Sequence, residues 1–130
     1  MSRSIITFLL LLFSVVGFAQ KNTDGKMAVY EITYLNGKQV SKQKLMHKAT
    51  LLYEASEDYY YIDGEREDGL KTGIPLFYTK TIKKIKYYSY DDTTFSKTTE
   101  NNNLVVFKSE QITTDSNEKE YSEIRLELTK

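Results

Sequence analysis

The sequence predicts an all-β protein, an antiparallel meander of about seven to eight strands forming a curved sheet or partly closed barrel. Three observations predict it. Residues alternate with a period of two, most cleanly in Tyr121–Thr129. There Ser122, Ile124, Leu126 and Leu128 share one face, and Tyr121, Glu123, Arg125 and Glu127 share the other. Turn signals recur at short spacing, at Asn36-Gly37, Asp91-Asp92 and Asn101-Asn102-Asn103. The connections are local, which favours antiparallel neighbours, and a meander this long must curl, close or fold over. A sandwich is the alternative architecture.

The elements follow in order. Ile5 to Phe18 is an apolar run behind Arg3, and Gly17-Phe18-Ala19 places small residues where a signal peptidase cuts. We read residues 1–19 as a signal peptide, too short to serve as a membrane anchor. Residues 20–26 are a polar, flexible lead, and 27–130 a single β domain. Met27 to Leu35 is the first strand, with Ala28, Tyr30, Ile32 and Tyr34 on one face and Glu31 and Thr33 on the other. Asn36-Gly37 ends it, because both residues tolerate positive φ. Lys38 to Lys44 is either a hairpin arm or a polar connection.

Leu45 to Tyr53 is a strand with Leu45, His47, Ala49, Leu51 and Tyr53 on one face and the more polar Met46, Lys48, Thr50, Leu52 and Glu54 on the other. A helix over Lys38 to Leu52 competes, but its stripe would contain Lys44 and His47, and period two fits better. Tyr59 to Ile62 is a short strand ended by an Asp63-Gly64 turn. Glu65 to Gly73 reads as the longest loop, closed by Pro75. Leu76 to Thr81 is a strand, and Ile82 to Tyr90 continues it or starts another after a bend. Thr93 to Glu100, Leu104 to Ile112 and Tyr121 to Thr129 complete the meander, with a polar turn over Thr113 to Glu120.

Composition narrows the function classes. The chain has no cysteine, so it has no disulfide and no lipidated cysteine at the end of its leader. With 18 basic and 18 acidic residues, bulk charge favours neither nucleic acid nor an anionic surface. The expected location is exported, periplasmic or secreted, in the manner of a Gram-negative protein, with no stable membrane anchor after cleavage.

Few residues suggest chemistry. His47 is the single histidine and lies among apolar neighbours, where a hydrogen-bonded core residue is the plain reading. Asp63, Glu65, Glu67 and Asp68 form an acidic cluster, but their spacing does not match a calcium loop, and Arg66 interrupts it. No nucleophile–base pattern, phosphate loop, metal set or cofactor motif is present, so the expectation is a protein that is not an enzyme and uses no cofactor. Tyrosine is the compositional excess, with eleven residues. Tyr59, Tyr60, Tyr61, Tyr87, Tyr88 and Tyr90 are the candidate ligand- or partner-binding residues, since tyrosine pairs a large apolar face with a polar tip. Adjacent tyrosines on a strand point to opposite faces, so part of each cluster must be outward. Lys80, Lys83, Lys84 and Lys86 interleave with the second cluster and read as protection of a sheet edge.

Several stretches resemble the GLPGLI family of exported proteins. The leader ends in Phe-Ala-Gln, as is typical of exported proteins of the Bacteroidota. Val29-Tyr30-Glu31-Ile32-Thr33-Tyr34 is similar to the family's opening strand. Ala49-Thr50-Leu51-Leu52-Tyr53 followed by Tyr59 to Tyr61 is similar to its second block, and Phe77-Tyr78 with Val106-Phe107-Lys108-Ser109-Glu110 to its middle region. Gly73-Ile74-Pro75-Leu76 departs from the motif that names the family, and the family's C-terminal half has no counterpart. The resemblance therefore implies a short or C-terminally truncated member. It implies export and a β fold, and carries over no catalytic residue.

The function expected is that of an exported, non-catalytic β domain that binds a cell-envelope protein or a small ligand. The alternatives are a carrier of lipid or other hydrophobic ligand and, third, a small carboxylate hydrolase.

Overall fold

The computed structural model describes residues 18–20 and 26–129. The leader reading falls on residues outside this set, save Phe18 and Ala19, and so does most of the flexible lead. Phe18–Gln20 form a short strand, β1. It is followed by β2 (Met27–Leu35), β3 (Lys38–Glu54), β4 (Tyr59–Glu65), β5 (Lys71–Ile82), β6 (Ile85–Tyr90), β7 (Thr93–Glu100), β8 (Leu104–Ser109), β9 (Ile112–Thr113) and β10 (Lys119–Leu128).

All pairings are antiparallel. Strands β2 to β8 pair in sequence, and β10 pairs with both β8 and β2, from Leu104↔Glu127 on one side and Leu128↔Met27 on the other. The sheet is thus an eight-stranded closed barrel rather than a partly closed one. β9 pairs with β10, and β1 pairs with the end of β3. Closure removes the two long edges that an open meander would leave.

The core lies inside the barrel. Met27, Val29, Met46, Ala49, Leu51, Ile62, Leu76, Phe107 and Leu126 are all buried to within a few per cent. Charged residues such as Lys42, Asp63, Glu65, Lys108, Glu123, Arg125 and Glu127 stand on the outer face, as the strand registers require. This polarity is the reverse of a barrel wall that faces lipid.

The structure corrects several sequence expectations. Asp63-Gly64 is not a turn but part of β4. Gly64 sits opposite Ala49, and a Cβ there would overlap the Lys48 carbonyl oxygen and the Ala49 Cα. The glycine serves a close approach between strands instead of a bend. The predicted loop over Glu65 to Gly73 shrinks to a turn over residues 66–70. There the Arg66 amide donates to the Leu70 carbonyl at 2.9 Å, and the Leu70 amide donates to Asp68 Oδ1 at 3.1 Å.

Gly73 and Pro75 lie inside β5. Pro75 pairs with Tyr61 on one side. On the other side β6 reaches back only to Phe77, so the missing amide hydrogen of Pro75 falls on a stretch of edge. Leu104 to Ile112 is broken, because the Glu110 amide turns to the Thr94 carbonyl (3.0 Å) and β8 stops at Ser109. The Ser109 hydroxyl is buried there, accepting from the Ser122 amide at 2.8 Å.

Lys38 to Lys44 is a hairpin arm. It joins Leu45 to Glu54 in one 17-residue strand, and no helix forms. Three register shifts against β2 mark bulges in this strand. They explain the misassigned face: Ala49, Leu51 and Tyr53 turn inward together, but upstream of the bulge the inward residue is Met46, and His47 is only half-buried.

Candidate binding surface

The two tyrosine clusters are divided by the pleat of β4 and β6. Tyr60 pairs with Tyr53 and Leu76, whereas Tyr59 and Tyr61 pair with Phe77 and Pro75 on the opposite face. On β6, Tyr88 pairs with Phe95 and Tyr78, and Tyr87 lies opposite Lys80. Of the six candidates, Tyr60, Tyr88 and Tyr90 therefore face the lumen, and Tyr59, Tyr61 and Tyr87 face outward. Tyr60 and Tyr88 are 4% and 3% exposed, and Tyr90 packs against the same core.

The inward group is a connected cluster. The Tyr60 ring meets Tyr53 (centroids 4.6 Å apart), Tyr88 (5.1 Å) and Phe107 (5.3 Å). Phe107 comes from β8, across the barrel. Lys97, on β7, donates from Nζ to the Tyr60 hydroxyl at 2.6 Å and pairs with Glu100. Side chains from non-adjacent strands thus meet at this level of the lumen, as an eight-stranded barrel permits.

Asp58 closes this cluster. It ends the turn between β3 and β4 at φ 53°, a left-handed conformation that aspartate tolerates. The turn is held by the Glu54 carboxylate, which accepts the Glu57 amide at 2.8 Å and the Ser56 amide at 3.2 Å. Asp58 Oδ1 accepts the hydroxyls of Tyr53 (3.0 Å) and Tyr88 (2.7 Å), and Oδ2 pairs with Lys86 at 2.8 Å. Burial raises the Asp58 pKa, but hydrogen bonds from Lys86, Tyr88 and Tyr53 outweigh it and hold the carboxyl below its usual value. Burial and the bond to Asp58 push the Tyr88 phenol well up. The carboxylate is an acceptor surrounded by donors, a lock on the turn and not a poised base.

The outward group forms a stripe. Tyr59 stacks on Phe77 with centroids 4.9 Å apart and lies 6.4 Å from Tyr61. Burial pushes the Tyr59 phenol up to about 12. Tyr61 lies across Gly73, where a Cβ would collide with its hydroxyl. Phe77 is 54% exposed. Next along this face is Tyr87, with Lys80 Nζ 5.4 Å from its ring centroid. Phe77 and Asp58 were not among the sequence candidates. The alternation of Leu76 with Phe77 carried a signal for the first. Nothing local marked the second, whose partners come from 5 and 30 residues away.

The other candidates are dispersed. His47 Nδ1 lies 3.8 Å from Glu67 Oε2, beyond hydrogen-bond distance, and Glu67 pairs more closely with Lys44 at 3.1 Å. Glu65 pairs with Lys71 and Asp68 with Arg66. Among the described residues, no group of three histidine, aspartate or glutamate side chains is placed to hold a metal. No known protein family, curated protein or solved structure matches the chain.

Proposed function

We propose that the chain is an exported, non-catalytic binding protein whose outer aromatic stripe receives a protein of the cell envelope. The observation that carries this reading is the alignment of Tyr61, Phe77 and Tyr87 on one outer face of β4, β5 and β6, with Tyr59 stacked against Phe77. Aromatic side chains are enriched at the centres of protein interfaces, where they bury much area with few rotamers. Export rests on the leader pattern of Arg3, Ile5–Phe18 and Ala19. The carrier reading is less favoured, because Tyr60, Phe107 and Lys97 already meet across the lumen.

The test is capture from an envelope fraction with purified protein, followed by identification of what is retained. A single partner that binds the parent chain and is lost with Tyr61→Ser/Phe77→Ser/Tyr87→Ser supports the reading. Equal capture by both proteins overturns it. Equal unfolding midpoints of the two proteins show that the stripe does not act through the fold.

A further inference from the structure

The hairpin of β5 and β6 runs past the wall of the barrel. β4 accompanies β5 only as far as Phe77, and β7 accompanies β6 only from Tyr87 onward. Beyond those points Tyr78 to Lys86 have no third strand beside them and pair only across the hairpin, through Tyr78↔Tyr88, Lys80↔Tyr87, Thr81↔Lys86 and Ile82↔Ile85. The result is a two-stranded ribbon that projects from the body. Every residue from Phe77 to Lys86 except Lys80 is exposed.

The end of this ribbon has an unusual composition for a surface. Ile82 and Ile85, at its tip, are 46% and 48% exposed, with Tyr78 at 43%. Between the isoleucines stand Lys83 and Lys84. The whole segment Lys71–Tyr90 holds five lysines and no acid, in a chain whose formal net charge is zero. Lys80 pairs with Glu110 and Lys86 with Asp58, both near the base. Lys83 and Lys84 have no ion pair among the described residues. Both lie at positive φ, 53° and 69°. A two-residue hairpin turn demands that geometry, and asparagine or glycine meets it without strain. Lysine at both positions is strained, and strain of this kind concentrates where function requires a particular side chain.

We infer that this ribbon docks the barrel on an anionic lipid surface, with Ile82 and Ile85 entering the interface, Lys83 and Lys84 meeting lipid phosphates, and Tyr78 at headgroup level. The chemistry matches on three counts. Exposed aliphatic residues gain by leaving water. Lysines are attracted to an anionic bilayer surface. Tyrosine favours the membrane–water boundary. A tip carrying only charge would suit an acidic protein, and a tip carrying only isoleucine would suit an apolar groove. The pair of isoleucines flanking a pair of lysines favours a bilayer. This surface is distinct from the aromatic stripe, so either reading can fail alone.

The experiment is flotation of the purified chain with vesicles of phosphatidylethanolamine containing 30% phosphatidylglycerol, and with vesicles of phosphatidylcholine alone. Binding is expected to the first and to be at least tenfold weaker on the second, and to fall with added salt. Lys83→Asn/Lys84→Gly is expected to lose at least tenfold in vesicle binding. It installs the residues the turn prefers, so it cannot fail by unfolding the hairpin. Ile82→Ser/Ile85→Ser is expected to lose binding to a similar extent, and Tyr61→Ser/Phe77→Ser to retain it. Absence of flotation overturns the inference, as does flotation indifferent to lipid charge or to Lys83→Asn/Lys84→Gly. Binding to soluble polyglutamate without vesicle binding also overturns it, and assigns the ribbon to an acidic protein.

Discussion

Asp58 shows how one residue can join local and distant structure. It accepts hydrogen bonds from Tyr53, five residues back, and Tyr88, thirty residues on. Asp58→Ala removes the carboxylate that accepts both hydroxyls and is expected to lower stability by about 1–3 kcal/mol in a denaturant titration. Asp58→Asn keeps an acceptor and tolerates positive φ, so it should cost less. The pH dependence follows from the depressed folded pKa. Stability from the ionised form is fully present above the unfolded value of about 3.9 and is lost as pH falls through the lower folded value. The parent chain should therefore lose more stability on acidification than Asp58→Asn, read as the shift of denaturation midpoint with pH. The Lys83-Lys84 turn predicts the opposite kind of change. Lys83→Asn/Lys84→Gly relieves two positive-φ lysines and should raise stability by about 1 kcal/mol in the same titration.

At the scale of elements, the regular strands were legible in the sequence and the exceptions were not. Met27–Leu35 and Thr93–Glu100 run where alternation and turn residues put them. Gly64 and Pro75 misled because each residue has two uses. Glycine at 64 reads as a turn, yet it admits the backbone of β3. Proline at 75 reads as a loop closure, yet it occupies an edge. Telling these uses apart requires the neighbouring strand, which a local pattern does not contain. The bulges in β3 are hidden for the same reason, since an inserted residue becomes visible only against its partner. Gly64→Val is a direct check. The new side chain meets backbone rather than a movable side chain, so a loss of ~3 kcal/mol is expected in denaturant unfolding. The tyrosine clusters were half legible: adjacency required that the faces divide, and the pleat set which tyrosines went inward.

At the scale of the molecule, Phe107 lies at the centre. It comes from β8, pairs with Ile124 of β10 and touches Tyr60 and Tyr88 across the barrel. Phe107→Ala removes contacts to several strands at once and should cost about 3–5 kcal/mol, measured by denaturant or thermal unfolding. That the chain would form a curved, closable sheet was readable from its local turns. That it would close completely was not, because closure depends on β10 finding β2 some 90 positions away in the sequence. The same pairing has a temporal consequence. β10 supplies both seams of the barrel, to β8 and to β2, and it follows all the other barrel strands in the chain. Until Lys119–Leu128 arrive, every earlier hairpin can form but the cylinder cannot shut. A chain that emerges amino end first therefore stays an open, pliable sheet until Lys119–Leu128 has followed, and gains its rigidity in one late step.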